Sequence, residues 1–96
     1  MIIRIKLFAS LGKYIPNGTA VGPTGNEADM EAADGATISD IIGSLNLPIE
    51  FCHLVLVNGY FISPSARGSH VLTEGDDLAI WPPVAGGNVT NEIAGG

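Results

Sequence analysis

The sequence predicts one α+β domain, a mixed sheet of four or five strands packed on one main helix, and three observations predict it. A period-two apolar run opens the chain. A capped segment with apolar residues at helical spacing stands near the middle, and a hairpin signal followed by one more short strand precedes a proline pair. At 96 residues the chain is long enough for one core and too short for two. The domain is expected over 1–83, with 84–96 a flexible tail that projects into solvent.

In Ile2 to Phe8, Ile3, Ile5 and Leu7 alternate with Arg4 and Lys6, the pattern of a half-buried strand. Leu11, Tyr14 and Ile15 have spacing for one or two helical turns before Pro16 and Gly18 stop them. The glycine-rich stretch 18–26 reads as an irregular surface excursion, and Glu27 to Ala33 as a weak, polar edge strand. Thr37 is the N-cap of the main helix, with Asp40 three residues on in the place of the usual capping-box Glu or Gln. Ile38, Ile41, Ile42 and Leu45 then fall at i, i+3, i+4 and i+7, and Pro48 lies just beyond the end. His53 to Ser63 has two apolar runs around Asn58-Gly59, a strong two-residue hairpin signal because both turn positions require positive φ. A Glu74-Gly75-Asp76 turn then leads to a strand through Leu78, Ile80 and Trp81, which Pro82 and Pro83 end.

Ten acidic residues against four basic ones leave a formal charge of −6. That charge repels phosphate backbones and anionic lipid, so no nucleic acid and no membrane partner is expected; a protein with a basic docking surface suits it better. Cys52 is alone, so no internal disulfide can form and a reducing, cytoplasmic setting is expected. The start of the chain has Arg4 within its apolar run and no signal-peptide core.

Residue constellations for catalysis are scarce. His53 and His70 lie seventeen residues apart without carboxylates at metal-ligand spacing, Ser39 and Ser44 belong to the helix, and the glycines of 18–25 have no preceding strand, lysine and following helix to cradle phosphate. A buried, inert thiol is the expected state of Cys52. No bound cofactor and no metal are expected. The chemistry left to the chain is in the tail, which carries Ala-Gly-Gly twice, at Gly86-Gly87 and Gly95-Gly96. A carboxylate preceded by two residues without Cβ can thread a narrow channel, and an ATP-dependent partner can convert it to a mixed anhydride, a better acyl donor than the free anion.

The segment "TISDIIGSLNL", the Asn58-Gly59 hairpin and "LTEGDDLAIWPPVAGG" resemble the MoaD/ThiS family of sulfur carriers over roughly Met1 to Gly87. The last of these is more similar to the end of the small subunit of molybdopterin synthase than to the thiamine carrier. The resemblance implies the ubiquitin-like β-grasp fold and a carrier rather than an enzyme. It implies a terminal glycine that a MoeB/ThiF-type partner adenylates with ATP and that is then converted to a thiocarboxylate. It also implies a second partner, like the large subunit of molybdopterin synthase, which takes the sulfur for the dithiolene that holds molybdenum or tungsten. By position Gly87 is the acyl-bearing residue, Gly86 its flexible neighbour, and Pro82 and Pro83 the stiff spacer.

The chain departs from that pattern where Asn88 follows Gly87, which therefore has no free carboxylate as encoded. Either a protease trims the tail after Gly87, or Gly96, supported by Gly95, is used directly. Two other functions remain open: a β-grasp interaction module without sulfur chemistry, and a protein modifier whose activated glycine is attacked by a lysine.

Overall fold

The structure, a computed structural model, describes residues 1–83 of the chain. Its centre is β1 (Ile2–Leu7), whose alternation buries Ile3, Ile5 and Leu7 completely and leaves Arg4 and Lys6 half-exposed on the other face. The last strand, β6 (Asp77–Trp81), lies parallel beside it, with Arg4 opposite Asp77 and Leu7 opposite Ile80. On the other side β3 (Glu27–Glu31) is antiparallel, with Ile2 opposite Glu31 and Lys6 opposite Glu27. With β2 (Ala20–Val21), β4 (Leu54–Val57) and β5 (Tyr60–Phe61), the sheet has six strands in the order β2-β3-β1-β6-β4-β5.

The mixed sheet covered by one helix is the expected β-grasp architecture, but the strand count exceeds the expected four or five. The extra strand comes from the glycine-rich excursion. Gly22 and Gly25, at φ of +79° and +75°, turn the chain so that Ala20 and Val21 pair with Ala28 and Glu27. Two residues are too few to show a period-two signal, and β2 takes the edge position expected of β3. β3 itself stops at Glu31, short of Ala33. The apolar spacing after β1 becomes a 3-10 helix, Ala9–Tyr14, that buries Leu11.

The helix, α1 (Ile38–Ser44), starts as expected. The Thr37 hydroxyl accepts from the Asp40 amide at 3.2 Å, and the Asp40 carboxylate accepts from the Thr37 amide at 2.9 Å. Its end comes before Pro48. Asn46 takes φ of +58°, its amide donates to the Gly43 carbonyl, and the Leu47 amide reaches back to Ile42 at 3.1 Å. This is a Schellman motif with asparagine in the left-handed position that glycine usually fills. It turns Leu47 inward, where it joins Ile38, Ile41, Ile42 and Leu45 against Val55, Val57, Leu78 and Ile80 of the sheet.

Asn58 and Gly59, at φ of +52° and +85°, make the hairpin turn between β4 and β5. Asn58 also ties that turn to the start of β6. Its Nδ2 donates to Asp76 Oδ1 at 2.9 Å and its Oδ1 accepts from the Asp77 amide at 2.9 Å. Asp76 further accepts from the Thr73 amide and hydroxyl at 2.9 and 3.2 Å. Burial pushes the Asp76 carboxyl up, but the bonds from Thr73 and Asn58 outweigh it and hold the group below the ordinary carboxylate value of 3.8. A carboxyl depressed in the folded state stabilises above its unfolded pKa, and that contribution is lost as pH falls through the folded one. Asp76→Asn is therefore expected to cost about 1–3 kcal/mol at neutral pH, the penalty for spoiling a buried acceptor network. The gap between wild type and variant should begin to narrow as pH falls below 3.8 and close only once pH has passed the lower folded value, where the native carboxyl is neutral as well; urea unfolding followed downward from pH 7 checks both.

Candidate functional site

The site that the sequence points to is the base of the tail, where β6 hands the chain to Pro82 and Pro83. Three contacts hold that end of the strand. The Phe8 amide donates to the Ile80 carbonyl at 3.0 Å, and the His53 amide donates to the Trp81 carbonyl at 2.9 Å. The Trp81 ring lies against Phe8 with centroids 4.2 Å apart and planes within 2° of parallel. A stacked pair of this kind is worth about 0.5–1.5 kcal/mol beyond the area it buries. Neither proline has an amide hydrogen, so the ladder with β4 ends at Trp81, with Pro82 half-buried and Pro83 exposed. The chain thus reaches Pro82 and Pro83 from a central strand of the sheet.

Around this exit the open face of the sheet is apolar. Leu54 lies opposite Trp81, and Leu56 lies opposite both Ala79 and Phe61. Leu54 and Leu56 are half-buried and Phe61 is exposed. Together with Phe8 and Trp81 they make a patch that no element of the described fold covers. The far end of the same face is charged: Arg4 Nε donates to Asp29 Oδ1 at 2.6 Å, Arg4 Nη1 to Glu27 Oε1 at 3.1 Å, and Lys6 Nζ stands 3.5 Å from Asp77. The hydrogen bond from Arg4 holds the Asp29 carboxyl below its usual range. An apolar centre beside a charged border is the layout of a protein-docking surface.

Pro82 and Pro83 stand where the sequence reading put them, at the end of the last strand. Gly86, Gly87, Gly95 and Gly96 lie outside the described residues, as does the whole segment 84–96 expected to be a flexible tail. The open-face patch was missed by a reading that treated the β4 run as one side of a hairpin. A usable signal was present: "LVLV" is apolar at every position, so an antiparallel strand there must offer apolar side chains to both faces.

The remaining polar candidates have structural surroundings. Cys52 is buried, its Sγ is 3.5 Å from the Pro48 carbonyl, and burial pushes its thiol up, away from the reactive thiolate. Among the described residues no three His, Cys, Asp or Glu side chains gather to hold a metal ion, and no helix is long and apolar enough to cross a membrane.

Solved structures share this fold. SAMP1 from Haloferax volcanii, a small archaeal modifier protein, superposes with a TM-score of 0.60 at 24% identity over 91% of this chain and 100% of its own. The thiamine biosynthesis protein ThiS from Geobacter metallireducens gives 0.54 at 13% identity over 88% and 99%. A chain of the complex of subunits 1 and 2 of molybdopterin-converting factor from Helicobacter pylori gives 0.55 at 17% over 91% and 100%. The fold is therefore the ubiquitin-like β-grasp fold that these proteins share. No curated protein matches the sequence significantly. The ThiS family model matches residues 17–87, everything from β2 through the first glycine pair and well over half of the chain. On that match, and on the strand-to-proline exit it contains, the chain belongs to the ThiS family.

Proposed function

We propose that the protein is a sulfur carrier for the pyranopterin cofactor of molybdenum or tungsten, and that it acts in the cytoplasm. Its terminal glycine carboxylate attacks the α-phosphate of ATP on a MoeB/ThiF-type partner, pyrophosphate leaves, and an acyl-adenylate forms. Hydrosulfide-level sulfur then attacks the acyl carbon, AMP leaves, a proton is released, and a thiocarboxylate remains. A partner like the large subunit of molybdopterin synthase draws the tail in and takes the sulfur, and water closes the cycle by returning the glycine to a free carboxylate. The single observation that carries this reading is the exit geometry: a stacked, hydrogen-bonded strand end, two prolines, then a glycine pair at which the family match stops. The apolar patch beside the exit lets a partner grip the domain while the glycines thread its channel. The Helicobacter pylori relative, seen in complex with its subunit 2, supports a partner of that kind.

A second reading is favoured by the likeness to SAMP1: the same acyl-adenylate, attacked by a lysine amine instead of sulfur, would attach the chain to another protein. Incubation with a MoeB-type enzyme, ATP and a sulfur source, read by intact mass, separates the two. Oxygen-to-sulfur exchange at the terminus is expected. A covalent adduct to a second protein would favour the modifier, and no change at any tail length would leave an interaction module without sulfur chemistry. Within the same assay Phe61→Asp is expected to leave stability within about 0.5 kcal/mol, because its side chain is exposed. Loading should nevertheless fall at least about tenfold, because a charge enters the apolar docking patch from its β5 edge. Unchanged loading would remove the open face from the interaction.

A further inference from the structure

On the opposite side of the molecule from the open sheet face, the helix covers the sheet, and beside the helix lies a groove of about 560 Å³. It is lined by Ile42, Leu47, Ile49 and Pro64, with Ser39 and Arg67 among the polar lining residues. Arg67 is only 6% exposed. Its Nη1 donates to the Cys52 carbonyl at 2.7 Å and its Nη2 to the His53 carbonyl at 3.2 Å, but Nε is buried with no hydrogen-bond partner among the described residues. Arg4 and Lys6 each pair with carboxylates on the sheet; Arg67 has none within ion-pair range among the described residues.

Two neutral carbonyls orient a guanidinium without neutralising it, and a buried cation with an unmade hydrogen bond is a costly arrangement that calls for a compensating anion. The volume falls in the range of small-molecule sites, which pair mostly apolar walls with very few polar groups. We propose that this groove binds a small carboxylate with an apolar body, the carboxylate held by Arg67 and the body lying between Ile42, Leu47 and Ile49. A small molecule is the better occupant than an acidic protein segment, since a chain with a net charge of −6 repels a second polyanion. The proposal requires neither the tail nor sulfur chemistry and stands or falls apart from them.

The test is an NMR titration of the full, isotope-labelled chain with octanoate, with octan-1-ol as the uncharged control. Saturable shifts are expected at the amides of Ile42, Gly43, Leu47 and Ile49 and at the Nε–H of Arg67, with octanol at least about tenfold weaker, the loss of one charge-assisted hydrogen bond. Arg67→Met also removes the clamp on Cys52 and His53, so the decisive variant is Ile49→Glu, at a position 76% exposed. It should keep the amide spectrum of the sheet and abolish the octanoate shifts by repulsion at the groove mouth. Equal binding of octanol, shifts spread over the open sheet face, absence of saturation, octanoate binding that survives Ile49→Glu, or tighter binding by a short acidic peptide with apolar residues would each overturn the proposal.

Discussion

Replacing Ile41 with aspartate is expected to unfold the domain at ambient temperature. Ile41 is 2% exposed and sits on the face of α1 that meets the sheet, among Ile38, Ile42 and Leu45. Removing the aliphatic side chain alone costs about 2–5 kcal/mol. The carboxylate adds a desolvation penalty that no cation in the surrounding core can offset, because the buried residues around it are apolar. A domain of this size has only about 5–15 kcal/mol to lose. Circular dichroism should show a broad, non-cooperative trace where the wild type melts sharply. Ile41→Val, which keeps shape and polarity, should cost only about 0.5–1.5 kcal/mol and serves as the control. A cooperative melt of the aspartate variant at the wild-type temperature would mean that this face is not core.

The second large effect is expected at the tail. A version ending at Gly87 should be thiocarboxylated efficiently, because it restores the register in which two prolines and a glycine pair follow the last strand. Gly87→Ala in that version places a Cβ in a channel suited to glycine. Overpacking of this kind costs about 1–3 kcal/mol, or about five- to 150-fold in loading rate. The longer chain adds nine residues, Asn88 to Gly96, up to about 30 Å of reach, and asks Val89, Asn91 and Ile93 to pass near the same channel. Trimming after Gly87 avoids that passage, so the full chain should load only after cleavage. Efficient loading of the full chain, lost with Gly96→Ala and absent from the version ending at Gly87, would move the reactive carboxylate to Gly96 and end the trimming proposal. Intact mass and a time course on the three chains decide between them.

Determined by the sequence alone were those features whose cause is local. The period-two run of β1, the Thr37–Asp40 box, the apolar face of α1 and the Asn58-Gly59 turn each depend on residues within one turn or one strand of one another, and each stands in the structure where its pattern placed it. The proposal for the glycine pairs, which lie outside the described residues, rests on the sequence alone, since the absence of a Cβ is a property of the residue itself. Tertiary structure decided what depends on partners distant in the chain. Ala20-Val21 is a strand only because β3 offers it an edge, and Asn46 ends the helix because Leu47 gains burial by turning inward. Phe8 and Trp81, seventy-three positions apart, become a stack only through the parallel pairing of β1 with β6. No pattern in the sequence marks Arg67 as buried, yet packing closes over it and leaves its Nε without a partner among the described residues. Pattern records how a residue relates to its neighbours along the chain, whereas burial and charge compensation are set by residues that folding brings together from afar.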